Sequence, residues 1–215
     1  MYERAKRTRR RILRASLQLF NERGFINVRL QHIADACGIS VGNLAYHYPH
    51  KEAIVFALVD ELFRELSLIM ANYNAVPLFE HIDNVLRQLY AMEQRYAFYF
   101  LDSLEIYRHY PKLARYAEEK NRLQIVQLKG MFLFNAARGA FQKGVDYGGV
   151  AEQFWMMSHL WMYAQKLLGV EEWSLEAFTR RMWGILIPYF TPMGRWEYEQ
   201  LVERADREVD VQGAE

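Results

Sequence analysis

The sequence predicts an all-α protein, with an N-terminal three-helix domain of the helix-turn-helix kind followed by a larger helical domain. Three observations carry that expectation. Twelve Gly and five Pro among 215 residues make about 8% of the chain against roughly 12% in average usage, too few for a turn-rich β architecture. Apolar residues recur at three- and four-residue spacing through most of the length, and no strand-helix alternation stands out. The chain is 52% hydrophobic and 25% charged, enough to build a core and keep it soluble, which excludes disordered and collagen-like classes.

The elements follow in order. Beyond a basic arm, Ile12, Leu13, Ser16, Leu17, Leu19 and Phe20 keep one face apolar until Gly24, a residue suited to the left-handed turn that ends a helix. A short second helix places Leu30, Ile33, Ala34 and Cys37 at i, i+3, i+4 and i+7, with Gly38 as its stop and Ile39 plugging the turn. Ser40 then caps a third helix by accepting from an amide near Asn43, and Pro49 ends it after two turns. Two helices joined by a short Gly-containing turn have helix-turn-helix spacing, which lets the second lie in a major groove while the first braces it. With Leu44 inward and 100° per residue, Gly42 and Tyr46 point outward, Asn43 and Ala45 flank them, and His47 sits at the edge.

From Lys51 onward the pattern is long helices with brief breaks, so the domains are residues 1–50 and 51–215. Glu52 to Tyr73 forms a linking helix, and Leu78 to Tyr110 reads as two helices divided near Arg95. Lys112 to Lys143 reads as one helix of about 48 Å, and Gly144 to Gly149 as a Gly-rich break. The last two helices span Val150 to Leu168 and Leu175 to Phe190. The tail from Arg195, with three basic and seven acidic residues, reads as a partly helical end that packs down Trp196 and Tyr198.

Charge is unevenly placed. Residues 1–51 hold ten Lys or Arg against three acids, a net of +7, while the remainder holds 17 basic against 23 acidic side chains, a net of −6. A polyanion suits the first end, through phosphate attraction and counterion release. An Arg-rich tail that only aids solubility is the alternative, and the adjoining helix-turn-helix argues against it. No uncharged stretch reaches the roughly 18 apolar residues of a spanning helix. Arg14 interrupts any apolar run after the first arginines, so a secretory signal is not expected. The single Cys37 allows no internal disulfide and fits a reducing cytoplasm.

Catalytic and metal chemistry find little support. Gly38-Ile39-Ser40-Val41-Gly42 matches G-x-S-x-G, yet a nucleophile elbow needs a strand before its serine, and the residues before Ser40 have helical periodicity. Among six histidines only His47 and His50 stand at i, i+3, and no Cys cluster or Glu-x-x-His accompanies them. No metal, cofactor or enzymatic activity is expected.

The run Gly24 to Ile54, GFINVRLQHIADACGISVGNLAYHYPHKEAI, resembles the DNA-binding domain of the TetR (TetR/AcrR-type) family of bacterial transcriptional regulators. The likeness lies above all in Ile33-Ala34, Gly38-Ile39-Ser40, Gly42, Leu44, Tyr46-His47-Tyr48 and Lys51-Glu52. It implies that Asn43 and Tyr46 meet phosphates or base edges, that His47 touches the backbone, and that Lys51 clamps a phosphate. The expected DNA-binding set is Arg29, Gln31, Ser40, Val41, Gly42, Asn43, Ala45, Tyr46, His47 and Lys51. The chain departs from the family where Val28 and Arg29 replace the usual Thr or Ser cap of the second helix, with Asn27 as the alternative cap. Val41 stands where Lys is frequent and Ala45 where an aromatic is frequent, leaving Arg29 to supply charge and Ala45 to touch a thymine methyl.

In Phe154 to Ala164 only Ser158 and His159 are polar, so this helix needs a second apolar surface beyond one core. The final helix shows similar excess. The resemblance implies that both helices pair with their copies in a homodimer, through Trp161, Leu168, Phe178, Met182, Trp183, Ile185 and Leu186. A symmetric dimer presents two recognition helices to a pseudo-palindromic double-stranded operator. The resemblance further implies a repressor released by a small apolar or amphipathic effector, coupled through helix four. Tyr96, Phe100, Leu104, Phe134, Trp155 and His159 are candidate effector contacts, with ordinary core packing as the competing reading. The alternative function is a DNA-bound adaptor whose helical domain binds a protein partner.

Overall fold

The computed structural model describes residues 2–71, 77–170 and 173–212, with Tyr2 and the last ten by backbone alone. They form α1 (Tyr2–Arg23), α2 (Leu30–Ala36), α3 (Val41–His47), α4 (Lys51–Ala71), α5 (Phe79–Arg95), α6 (Ala97–His109), α7 (Pro111–Ala137), α8 (Tyr147–Leu167), α9 (Leu175–Leu186) and α10 (Pro192–Gln212), with a 3-10 turn at Ile187–Tyr189. The fold is all-α, as the composition and periodicity predict. Among the described residues the β structure is a lone bridge between Phe141 and Phe190, and no helix is long and apolar enough to cross a membrane.

Four boundaries differ from expectation, each for a local reason. The basic arm is helical, because α1 begins at Tyr2. α7 ends at Ala137 rather than Lys143: the amides of Ala140 and Phe141 both turn back to the Asn135 carbonyl, at 2.9 and 3.0 Å. Gly148 and Gly149 belong to the first turn of α8, where the Asp146 carboxylate accepts from the Gly148 amide at 3.0 Å. α9 stops at Leu186, and Pro188 falls in the 3-10 turn that follows. The predicted end of the linking helix at Tyr73 lies outside the described residues.

The chain forms two compact units. The first takes residues up to Ser67 together with Met92–Lys120, and the second takes Leu68–Ala91 with residues from Asn121 onward. In the first, Ile12, Phe20, Ile33, Leu44 and Ile54 are fully buried, so α1 to α4 share one core. Asn21 fastens that core to the α5–α6 joint: its amide donates to the Arg95 carbonyl and its carbonyl accepts from the Phe98 amide, both at 2.9 Å. Phe25 is held on three sides. Its amide donates to Asp102 at 2.8 Å, its carbonyl accepts from the Lys51 ammonium, and its ring meets those of His109 and Tyr110 edge-on.

The second unit is built on rings. Phe79 lies against Phe141, Trp183 and Phe190 with centroids 4.9–5.5 Å apart, and the Trp183 indole donates to Asp83 at 3.0 Å. α10 enters this core through Glu197, which pairs with Arg138 at 2.7 Å, and through Tyr198, whose ring meets Trp183 at 5.2 Å. Trp196, expected to pack down beside Tyr198, is 64% exposed, since helical geometry turns it away from the residues that follow it.

This unit also corrects the residues expected at a dimer interface. Trp161, Phe178, Met182, Trp183 and Leu186 are buried in the chain's own core, where Trp161 meets Phe178 edge-on at 5.7 Å. They form the inward stripe of α8 and α9. Ile185 is half-buried and Leu168 exposed. The apolar face left open on α8 belongs to other side chains: Met156, Met157, Leu160, Tyr163 and Leu167, the last 72% exposed.

Candidate nucleic-acid interface

α2 and α3 are short, and their geometry rests on a few bonds. Gly38 adopts φ +61°, the left-handed conformation that lets the chain reverse after α2 without strain. The Ile39 amide returns to the Ala34 carbonyl at 3.0 Å, closing the turn. Ser40 caps α3 as expected, its hydroxyl accepting from the Asn43 amide at 3.1 Å. At α2 the cap is Arg29, whose side chain closes no bond with the helix. Instead His32 Nδ1 accepts from the Arg29 amide at 3.2 Å, a single backward half of a capping box. Asn27 does not cap α2: its amide group donates to the Arg23 carbonyl at 2.7 Å and finishes α1.

Leu44 is fully buried and fixes the phase of α3. Gly42, Asn43 and Tyr46 are exposed, Val41, Ala45 and His47 are half-buried, and Arg29 and Gln31 are exposed on α2's side. Tyr46 is 84% exposed and stands edge-on to the His47 ring at 5.2 Å. Gln31 donates to Asp35 at 2.6 Å, which orients its side chain along α2. An open groove of about 1330 Å³ runs beside this face. One wall is α3, through Asn43, Tyr46 and His47; the other is the N-terminal half of α1, including Arg4, Arg7, Arg11 and Arg14. Arg9 joins the walls: its guanidinium lies 4.4 Å from the Tyr48 ring centroid and donates to the His47 carbonyl at 3.0 Å.

Lys51 departs from expectation. Its ammonium donates to the Phe25 carbonyl and sits 4.1 Å from the Phe25 ring centroid, and burial lowers its pKa to about 8. The reason is local: Lys51 opens α4 beside the carbonyl left by the turn after α1, and that acceptor and ring hold it inward. The sequence reading also missed the groove's second wall, although Arg4, Arg7, Arg11 and Arg14 stand at i, i+3, i+7 and i+10, a visible helical stripe.

The candidate effector residues fall in both units. Tyr96 and Phe100 are buried in the first, while Leu104 is 71% exposed and takes no part in a closed apolar site there. In the second, Phe134 is half-buried, and Trp155 and His159 stack at 4.2 Å. The Trp155 indole donates to Gln124 at 3.2 Å, and burial lowers the His159 pKa to about 4, so this imidazole is neutral at pH 7. No group of three His, Cys, Asp or Glu among the described residues could hold a metal ion.

Residues 12–58 match the family model described as bacterial regulatory proteins, tetR family. A solved TetR-family transcriptional regulator from Marinobacter aquaeolei VT8 is similar to 91% of this chain over 97% of its own length, with a TM-score of 0.83 and 25% identity. Residues 12–58 are thus similar to the tetR-family DNA-binding domain, and the chain shares the fold of a TetR-family regulator. Among curated relatives, the chain is 39% identical over 59 residues to the HTH-type transcriptional regulator UidR of Escherichia coli (strain K12), a match covering 27% of the chain and 30% of UidR. It is 32% identical over 104 residues to the HTH-type transcriptional regulator RutR of the same strain, covering 48% of the chain and 43% of RutR. The match thus spans less than half the length of either curated relative.

Proposed function

We propose that this protein is a TetR-family, sequence-specific regulator of transcription that binds double-stranded DNA as a homodimer, with α3 as its recognition helix. The groove between α3 and the basic face of α1 is the observation that carries this reading. It sets an outward Asn43 and Tyr46 beside a wall of positive charge, so base-edge readout and phosphate attraction meet on one surface. Ser40, Val41, Gly42, Ala45 and His47 belong to the same contact, with Arg29 and Gln31 flanking it from α2. Lys51 acts from behind by holding the turn after α1.

The dimer reading rests on α8. An exposed stripe of Met156, Leu160, Tyr163 and Leu167 suits a second copy of itself, and a two-fold axis would present two α3 helices to half-sites about one helical turn apart. Repression relieved by a small apolar or amphipathic effector completes the reading, with Trp155 and the neutral His159 as contacts. Effector and DNA then weaken each other's binding by the same factor.

Selection of genomic fragments by the purified protein, repeated with metabolite extracts added, tests the proposal. The expected result is enrichment of a pseudo-palindrome that an extract fraction abolishes. No enrichment overturns the DNA-binding reading, and enrichment that no extract affects overturns the effector reading in favour of a protein-binding adaptor.

A further inference from the structure

We propose that the N-terminal half of α1 is a second DNA-contact site, gripping one phosphate strand of the duplex. The proposal rests on the function given above and extends it to residues outside the helix-turn-helix. Arg4, Arg7, Arg11 and Arg14 fall within an arc of about 80° at 100° per residue, and all four are exposed. None is neutralised by an ion pair among the described residues. Glu3 lines the same groove as its lone acid, and Tyr46 and His47 are its other titratable groups besides the basic residues. From Arg4 to Arg14 the helix rises about 15 Å, and a DNA strand carries one phosphate per roughly 3.4 Å of axis, so four guanidinium groups span about four phosphates.

Two features distinguish this wall from a solvated basic tail. The stripe is carried by a continuous helix whose later turns bury Ile12, Leu13 and Ser16, so the charges are held in fixed register with the core. Arg9 then ties the same segment to the end of α3 through the Tyr48 ring and the His47 carbonyl. The spacing between the two walls is therefore set before DNA arrives, which lowers the ordering cost of binding. Arginine also suits the task, because its planar fork donates two parallel bonds to a phosphate.

The test is the salt dependence of binding to a mixed-sequence duplex of about 30 base pairs, for wild type and for the variant with Arg4, Arg7, Arg11 and Arg14 all changed to Gln; each phosphate contact contributes about 0.9 to the slope of log K against log salt. With two copies of the stripe in the proposed homodimer, the slope is expected to fall by about 7 in the Gln variant and to be retained when the same four become Lys. A slope within about one unit of wild type overturns the proposal. If the Gln variant loses helix content by circular dichroism, the single changes Arg7→Gln and Arg11→Gln decide it, with a fall of about 1.8 expected from each, two contacts per dimer, and no fall overturning it. Tyr46→Ala, measured in parallel on selected fragments, separates the two proposals. Lost site preference there with an unchanged slope in the Gln variant sinks the second contact alone, whereas no effect from either sinks both.

Discussion

Glu93 is a carboxyl group 2% exposed, with Oε2 unpartnered among the described residues, and burial raises its pKa well above 4.5. The unfolded chain gives up this proton near its ordinary value, while the folded chain keeps it. Between those two values the folded state binds more protons, so the group costs increasing stability as pH rises. Glu93→Met keeps the volume and removes the titration. The variant is expected to be more stable than wild type by about 1 kcal/mol or more at neutral pH and above, with the gap closing towards about pH 4, by urea denaturation across that range. A gap that does not change with pH would show that Glu93 does not hold its proton in the folded state. Gly194 illustrates a purely steric demand. A Cβ there would lie 2.1 Å from the Ala140 carbonyl oxygen, the same oxygen that accepts from the Thr191 amide at 3.0 Å. Gly194→Ala must push the start of α10 off this contact and is expected to cost about 1 to 3 kcal/mol in thermal or urea unfolding, the usual range for overpacking. Wild-type stability in that variant would show that the close approach is not required.

The helices show where a sequence speaks and where it is silent. The turn between α2 and α3 was legible because Gly38 and Ser40 each have a specific conformational job there. The division of α5 from α6 near Arg95 was legible from periodicity. The phase of α8 was not. A helix apolar nearly all round contains no amphipathic stripe to say which side faces its own core, so Trp161 and Leu160 look alike until α9 is in place. Once Phe178 takes Trp161, the open side becomes Met156, Leu160, Tyr163 and Leu167. Leu160→Glu puts a charge in the middle of that stripe without touching the core. It is expected to turn the proposed dimer into a monomer in sedimentation equilibrium, with little change in helix content. A dimer that survives the change would place the proposed contact elsewhere. The inward turn of Lys51 was equally hidden, since it depends on a carbonyl supplied 26 residues earlier in the chain.

At the scale of the molecule, the chain parts into units that do not follow a single cut in the sequence. A boundary at residue 50 was the natural reading, because the helix-turn-helix pattern ends there. The first unit nevertheless includes residues 92–120, through Asn21 on the α5–α6 joint and Asp102 on the Phe25 amide. Such ties link positions more than 70 residues apart, and nothing in local periodicity announces them. They also bring α6 against the turn that positions α2 and α3. In the proposed function α3 reads duplex DNA with its outward face. The most direct test is fluorescence anisotropy of wild type and Tyr46→Ala on the best selected fragment and on a scrambled duplex. Wild type is expected to prefer the selected fragment, and Tyr46→Ala to lose much of that preference while keeping its affinity for the scrambled duplex within a few-fold. Equal preference in the two proteins would contradict the assignment of α3 as the reader.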